Sequence, residues 1–241
     1  MSNNILFIFE GPKTEKQITD NLIKYFVNEN TVVTCAYCNT IYKMYKEISE
    51  DEYLDTFNIV KDLEANKDTL KGYKRSDFAQ IYMFFDYDGH ATNADDKILT
   101  ELLTFFNEET DKGKLYISYP MAEALKHIEN IESFQDLKVH CKEQIDYKQI
   151  VRQNRNDTFK HIVRYDIEQW KILIKLHLKK MNFIVFDKFE FPGGIIDPLT
   201  IFNFQLKKYI NMDQTIAVLS SFPIFLHDYY GNKELRNLVF N

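Results

Sequence analysis

Four short apolar runs, each stopped by a polar or turn-forming residue and separated by stretches of helical spacing, constrain this chain more than any other feature. Ile5-Leu6-Phe7-Ile8-Phe9 ends at Glu10-Gly11-Pro12, and Ala79-Gln80-Ile81-Tyr82-Met83-Phe84-Phe85 ends at Asp86-Tyr87-Asp88-Gly89. The other two are Thr31-Val32-Val33-Thr34 and Leu115-Tyr116-Ile117-Ser118, the latter running into Tyr119-Pro120. Runs of this length between turn signals read as buried strands. Between them, apolar residues recur three and four apart: Ile18, Leu22, Ile23 and Phe26 after Thr14, a stretch from Ile41 to Leu63, and Ile98, Leu102, Leu103, Phe105 and Phe106. Met121 to His127 also reads as helix. Such alternation predicts an α/β domain, a mostly parallel sheet with helices on both faces.

After residue 128 the period changes. Phe159, Ile162, Val163, Ile167, Trp170, Ile174, Leu178 and Met181 fit one face of a single long helix. Phe191-Pro192-Gly193-Gly194 breaks the chain, and Leu199 to Ile210 is helical in pattern. The expected organisation is therefore an α/β domain over 1–127 and a mainly helical C-terminal lobe over 128–241, suited to holding a substrate or partner. His177 and Trp170 fall on the apolar face of the long helix and read as core. With only 7 Gly and 5 Pro against 20 Phe and 15 Tyr, the chain has the material for filled strands and long helices, not for loops.

The strand ends carry the chemistry. Ligands of a parallel sheet bind beyond the carboxyl ends of its strands, and here those ends present Glu10, then Asp86 and Asp88, then Ser118 with Glu123 just after it. Clustered carboxylates repel unless a cation joins them. Hard oxygen donors select Mg²⁺ or Mn²⁺ over zinc. Asp86-x-Asp88, on a corner that Gly89 relaxes, with Glu10 and Glu15 from the neighbouring strand and its helix, makes a four-carboxylate set. Such a set suits polarising a phosphoryl group and activating water.

Those residues resemble a known family. Glu10-Gly11-Pro12-Lys13-Thr14-Glu15 after one strand, and Asp86-Tyr87-Asp88 after a later one, look like the two signatures of the TOPRIM domain. That domain is shared by topoisomerases, bacterial primases, OLD-family nucleases, ribonuclease M-type maturases and RloB-like defence proteins. Tyr119-Pro120-Met121-Ala122-Glu123 resembles the Ser/Asn-x-Pro-x-x-Glu segment that follows the fourth strand there. The likeness covers residues 4 to about 127 and is nearest the RloB and OLD members. It implies a TOPRIM-like (Rossmann-like) fold and a Mg²⁺- or Mn²⁺-dependent nuclease, an endonuclease by preference, cutting DNA or RNA (tRNA included) with two ions in anti-phage defence. Glu10, Asp86 and Asp88 would be ligands, Glu15 and Glu123 would support a second ion, and Glu10 would also handle proton transfer. Lys13 is placed to neutralise a phosphate or the leaving oxygen, and His90, two residues after Asp88, to touch substrate. No G-x-x-x-x-G-K-[ST] occurs, so the ATPase that OLD proteins carry in cis would have to come from a partner.

The formal charge of −6 excludes a generally basic nucleic-acid coat. Its distribution is uneven: residues 1–137 hold 14 Lys and Arg against 25 Asp and Glu, whereas 138–188 hold 12 against 6. The basic segment is the expected grip on a phosphate backbone, through Lys148, Arg152, Arg155, Arg164 and Lys171, with Lys138, Lys142 and Lys175 also candidates. Loop arginines at 152 and 155 are the better phosphate binders.

Other readings exist. The residues are also compatible with a TOPRIM-like module that binds nucleic acid or a partner without cutting, as a sensor or toxin component. Phe84-Phe85-Asp86-Tyr87-Asp88-Gly89 resembles the first motif of haloacid-dehalogenase-like phosphatases, in which Asp86 would be the phosphoryl acceptor. That family wants this strand first and Thr or Val at His90. Cys35-x-x-Cys38 with His140-Cys141 would supply a Cys₃His zinc set, but the pairs are far apart in sequence. Three cysteines make no disulfide framework, the amino terminus lacks a signal peptide's basic and apolar regions, and no apolar run is long enough to span a bilayer. A cytoplasmic chain with reduced thiols is expected, with no membrane partner and with oligomerisation left open.

Overall fold

The five residues Ile5–Phe9 form β1, and all five are buried. A strand covered on both faces cannot alternate, which is why this run is continuously apolar. The computed structural model describes residues 4–28, 31–38, 41–50, 55–87, 89, 95–154 and 156–241. Asp88, His90 and Arg155 lie outside these.

The elements that follow are α1 (Thr14–Phe26), β2 (Val33–Tyr37), α2 (Ile41–Glu50), α3 (Thr56–Asp62), β3 (Gln80–Asp86), α4 (Asp96–Phe105), β4 (Asn107–Glu108) and β5 (Gly113–Ser118). The sheet has five strands in the order β2-β1-β3-β5-β4. β1 runs parallel to both neighbours, with Phe9 opposite Tyr37 on one side and Phe84 on the other, and β4 pairs antiparallel with β5. The architecture is thus a mostly parallel sheet flanked by helices, as the alternation predicts.

Further along come β6 (Lys138–His140), α5 (Tyr147–Gln153), α6 (Ile167–Phe186), α7 (Pro198–Gln205), α8 (Asn211–Asp213), β7 (Thr215–Ala217), α9 (Ser221–Tyr230) and α10 (Asn232–Phe240). This part is mainly helical, with β6 and β7 as a small antiparallel pair. α7 continues into a π-helical turn, Leu206–Ile210. Among the described residues, no helix is long and apolar enough to cross a membrane.

The chain forms two compact units that interleave: residues 1–85 with 97–116, and 86–96 with 117–241. The sequence division at 127 is one of motif content, whereas the units follow packing. Of segment 86–96, Tyr87 and Asp96 are held by residues of the second unit. Tyr87 is buried, its ring 6.2 Å from Tyr119 and 6.0 Å from Phe202, and its hydroxyl donates to Asp96 Oδ1 at 2.7 Å. Lys142 closes the clasp on Asp96 Oδ2 at 2.8 Å.

In the first unit an aromatic cluster fills the sheet. The Phe84 ring lies 5.2 Å from Phe7, 5.6 Å from Phe9 and 5.8 Å from Tyr116. Each such pair contributes about 0.5–1.5 kcal/mol beyond its burial. In the second unit Trp170 on α6 is fully buried, against Tyr165 at 5.9 Å.

Three expectations need correction. The second strand starts at Val33, not Thr31, because Val32 is exposed and the strand is an edge in which small Thr34 and Ala36 face inward. The long helix does not begin at Phe159. Asp157–Phe159 and Ile162–Arg164 are separate 3₁₀ turns, in which residues three apart stack and so mimic helical spacing. α6 starts at the Asp166–Gln169 capping box, with reciprocal bonds of 2.8 and 3.0 Å. Segment 121–127 holds a 3₁₀ turn, Ala122–Lys126, and its consecutive buried residues leave it no polar face.

Candidate active site

In the first unit β1 runs straight into Glu10 and Gly11, and α1 begins three residues later. Glu10 is half-buried and Lys13 is exposed. Glu15, in the first turn of α1, is buried at the positive end of the helix. Its carboxylate folds back over Gly11, where a Cβ would stand 3.6 and 3.7 Å from the two oxygens.

In the second unit the half-buried carboxylate of Asp86, the last residue of β3, is oriented by backbone: Ala122 N–H donates to its Oδ1 at 2.9 Å. The peptide that presents this N–H follows a cis Tyr119-Pro120 bond and precedes the buried Glu123. The chain is held in place by Tyr119, which exchanges backbone hydrogen bonds of 2.8 and 2.9 Å with Leu219. Ser118 is buried and bonded to Ser221 Oγ at 2.7 Å, so it is a structural contact.

Tyr147 is buried and near enough to Glu123 and Asp86 to feel both charges. Burial first, then the nearby charges of Glu123 and Asp86, push its hydroxyl well above the ordinary tyrosine range. It therefore stays protonated. The hydroxyl lies 2.9 Å from His127 Nδ1, and His127 Nε2 is 3.4 Å from Glu129 Oε1. Burial lowers the His127 pKa despite Glu129, so the ring is neutral, with its proton on Nε2 and Nδ1 accepting from Tyr147. Sequence reasoning missed Tyr147 and His127. His127 stands four residues after Glu123, a spacing that could have drawn attention to it, whereas no local signal marks Tyr147.

Gly89 has a role beyond easing the turn. A Cβ there would stand 2.6 Å from the Cys141 carbonyl oxygen and 2.6 Å from Tyr87 Cε1. Gly89→Ala is expected to destabilise the protein by about 1–3 kcal/mol through overpacking. Chemical denaturation would measure this, and unchanged stability would mean that the corner can move freely.

Part of the basic segment is ion-paired. Lys138 pairs with Asp213, Lys142 with Asp96, Lys160 with Asp157, and Lys171 with Glu168 at 2.8 Å. Lys175 lies 5.5 Å from the centre of the Phe240 ring. Lys148 and Arg152, four apart on α5, and Arg164 in its 3₁₀ turn are exposed. Lys171 stands in a helix-face ion pair with Glu168.

The proposed ligands are all carboxylates, a donor set that fits Mg²⁺ or Mn²⁺. Among the described residues, no group of three or more His, Cys, Asp and Glu is close enough to hold a metal ion, and Asp88 lies outside them. The zinc quartet is likewise not assembled. Burial pushes the Cys35 and Cys141 thiols up to about 11, so both are protonated near neutral pH. His177 is a core residue: Nδ1 accepts from Ser220 N–H at 3.1 Å and Nε2–H donates to the Leu125 carbonyl at 3.2 Å.

No family model matches the chain, and neither a curated protein nor a solved structure matches it.

Proposed function

We propose that this protein is a metal-dependent nuclease of TOPRIM type that cleaves phosphodiester bonds in DNA or RNA. The observation that carries the reading is the Asp86 carboxylate, fixed by the Ala122 N–H beside the buried Glu123. A carboxylate held by a backbone donor at a strand end is oriented before any ligand arrives, as a metal site requires. Asp86 and Glu123, with Asp88, would hold Mg²⁺ or Mn²⁺. Glu10, Glu15 and Lys13 are assigned by the motif resemblance alone. The bound ion would supply charge stabilisation at the phosphoryl oxygens. Of the chain's own groups, Asp86 keeps its orientation through Ala122, the protonated Tyr147 lies within reach of both acidic charges, and Glu10 would take the proton from the attacking water. Lys148, Arg152 and Arg164 would contact the backbone of the substrate. The anti-phage role, the cytoplasmic address and an ATPase partner follow from the same resemblance and belong to this proposal.

The test is incubation of the purified chain with single-stranded DNA, plasmid, tRNA and ribosomal RNA, with Mg²⁺, Mn²⁺ or EDTA. Cleavage of at least one substrate with metal and none in EDTA is expected. Binding without cleavage under every metal condition would replace the nuclease with a non-cutting nucleic-acid-binding module.

A further inference from the structure

We propose that a cavity in the second unit, walled by Lys126, Val151, Arg152, Asn154, Lys160 and His161, binds a phosphate monoester. Its volume is about 170 Å³, below the roughly 300–1,000 Å³ of sites that enclose a whole drug-sized ligand. It admits a phosphate and the beginning of a sugar, so the remainder of the ligand stays outside.

The wall itself points to an anion. Lys126 and Arg152 are in no ion pair among the described residues, whereas Lys160 is engaged by Asp157. Two cations match the two charges of a phosphate monoester, and exposed His161 adds a ring N–H donor. Lys126 is half-buried, and that burial, together with Arg152 and Lys148, lowers its pKa against the pull of Glu123. An anion here would relieve that repulsion. Asn154, 6% exposed, completes the wall, its Oδ1 accepting from Asn156 N–H at 2.9 Å. The carbonyl end of α5 also lies here and opposes an anion, although Asn154 N–H caps the Val151 carbonyl.

The cavity deepens the nuclease reading by giving a place for a strand-end phosphate. It rests on that reading only for the ligand's being a nucleic-acid end, and not for its being a phosphate. The test uses fluorescence anisotropy with the full chain in EDTA, so that cleavage plays no part. The probes are one internally labelled oligonucleotide with a 5′-phosphate, with a 3′-phosphate, or with neither. Inorganic phosphate and adenosine monophosphate serve as competitors. At least one phosphorylated probe is expected to bind tenfold or more tightly than the unphosphorylated one. Asn154→Asp, which puts a negative charge into the wall, and Arg152→Gln should each abolish that preference. The charge control Lys188→Gln should keep it. Displacement by inorganic phosphate or the mononucleotide supports a pocket that reads the phosphate itself. A preference that neither displaces supports a strand end as the ligand. Equal binding of all three probes, with no displacement, overturns the proposal. So does a preference that survives in Arg152→Gln, an exposed position whose substitution leaves the core intact. Absence of nuclease activity in the separate cleavage assay would sink the nuclease reading and leave this result standing.

Discussion

Asp86→Asn is expected to lower metal-dependent cleavage by about 10³-fold, roughly 4 kcal/mol of transition-state stabilisation, with little change in stability. The asymmetry follows from which oxygen does what. Asparagine can still accept the Ala122 N–H on Oδ1, the 2.9 Å bond that anchors the residue, so the corner keeps its shape. What it loses is the negative charge. The complementary change, Glu123→Gln, should also depress cleavage. It should additionally ease the Tyr147 hydroxyl back toward an ordinary pKa, because Glu123 is the larger of the two charges acting on it. Steady-state cleavage with a metal titration, beside a denaturant curve for each variant, separates chemistry from folding. If Asp86→Asn cleaves at the wild-type rate, the ions are not at Asp86 and the site lies elsewhere.

Acid sensitivity is the second large effect. His177 is entirely buried, and burial outweighs its Leu125 hydrogen bond to bring its pKa to about 3. In the unfolded chain the same ring titrates near 6.5. Between those values the unfolded state holds a proton that the folded state refuses, so stability falls as pH drops from about 6.5 toward 3. The full span corresponds to about 5 kcal/mol, a large share of an ordinary domain's stability. His127 and His227, both lowered chiefly by burial, act in the same direction. Urea denaturation at pH 7, 5 and 4 should therefore show a steep loss. His177→Gln, which can still accept from Ser220 and donate to Leu125, should be less stable at pH 7 but lose less between pH 7 and 4. A variant with the wild-type slope would show that His177 is not the group responsible.

The sheet was legible because burial on both faces demands continuous apolar residues, as in Ile5–Phe9 and the β3 run through Phe85. β2 was legible only in part. An edge strand alternates, and its inward positions Thr34 and Ala36 carry no strong apolar signal. The false start of the long helix has a related cause, since Phe159, Ile162 and Tyr165 are all buried at the three-residue spacing that a helix and a series of tight turns share. The Asp166-x-x-Gln169 capping box was the local sign that separated them. In the site, the carboxylates stood out because each follows a strand. The Tyr147–His127 pair depends on a contact between separated segments, which a linear pattern does not encode. The same is true of Gly89, whose constraint comes from a carbonyl at residue 141.

The clasp on Tyr87 also orders events in time. The segment carrying Asp86 leaves the ribosome long before the residues that hold it, with Lys142 following at some remove and Phe202 later still. At about 5–20 residues per second, the wait for Phe202 is on the order of ten seconds. During that interval the acidic corner has its sequence but not its supports. A nascent chain therefore carries the carboxylates of the proposed centre without their final arrangement until Phe202 has emerged.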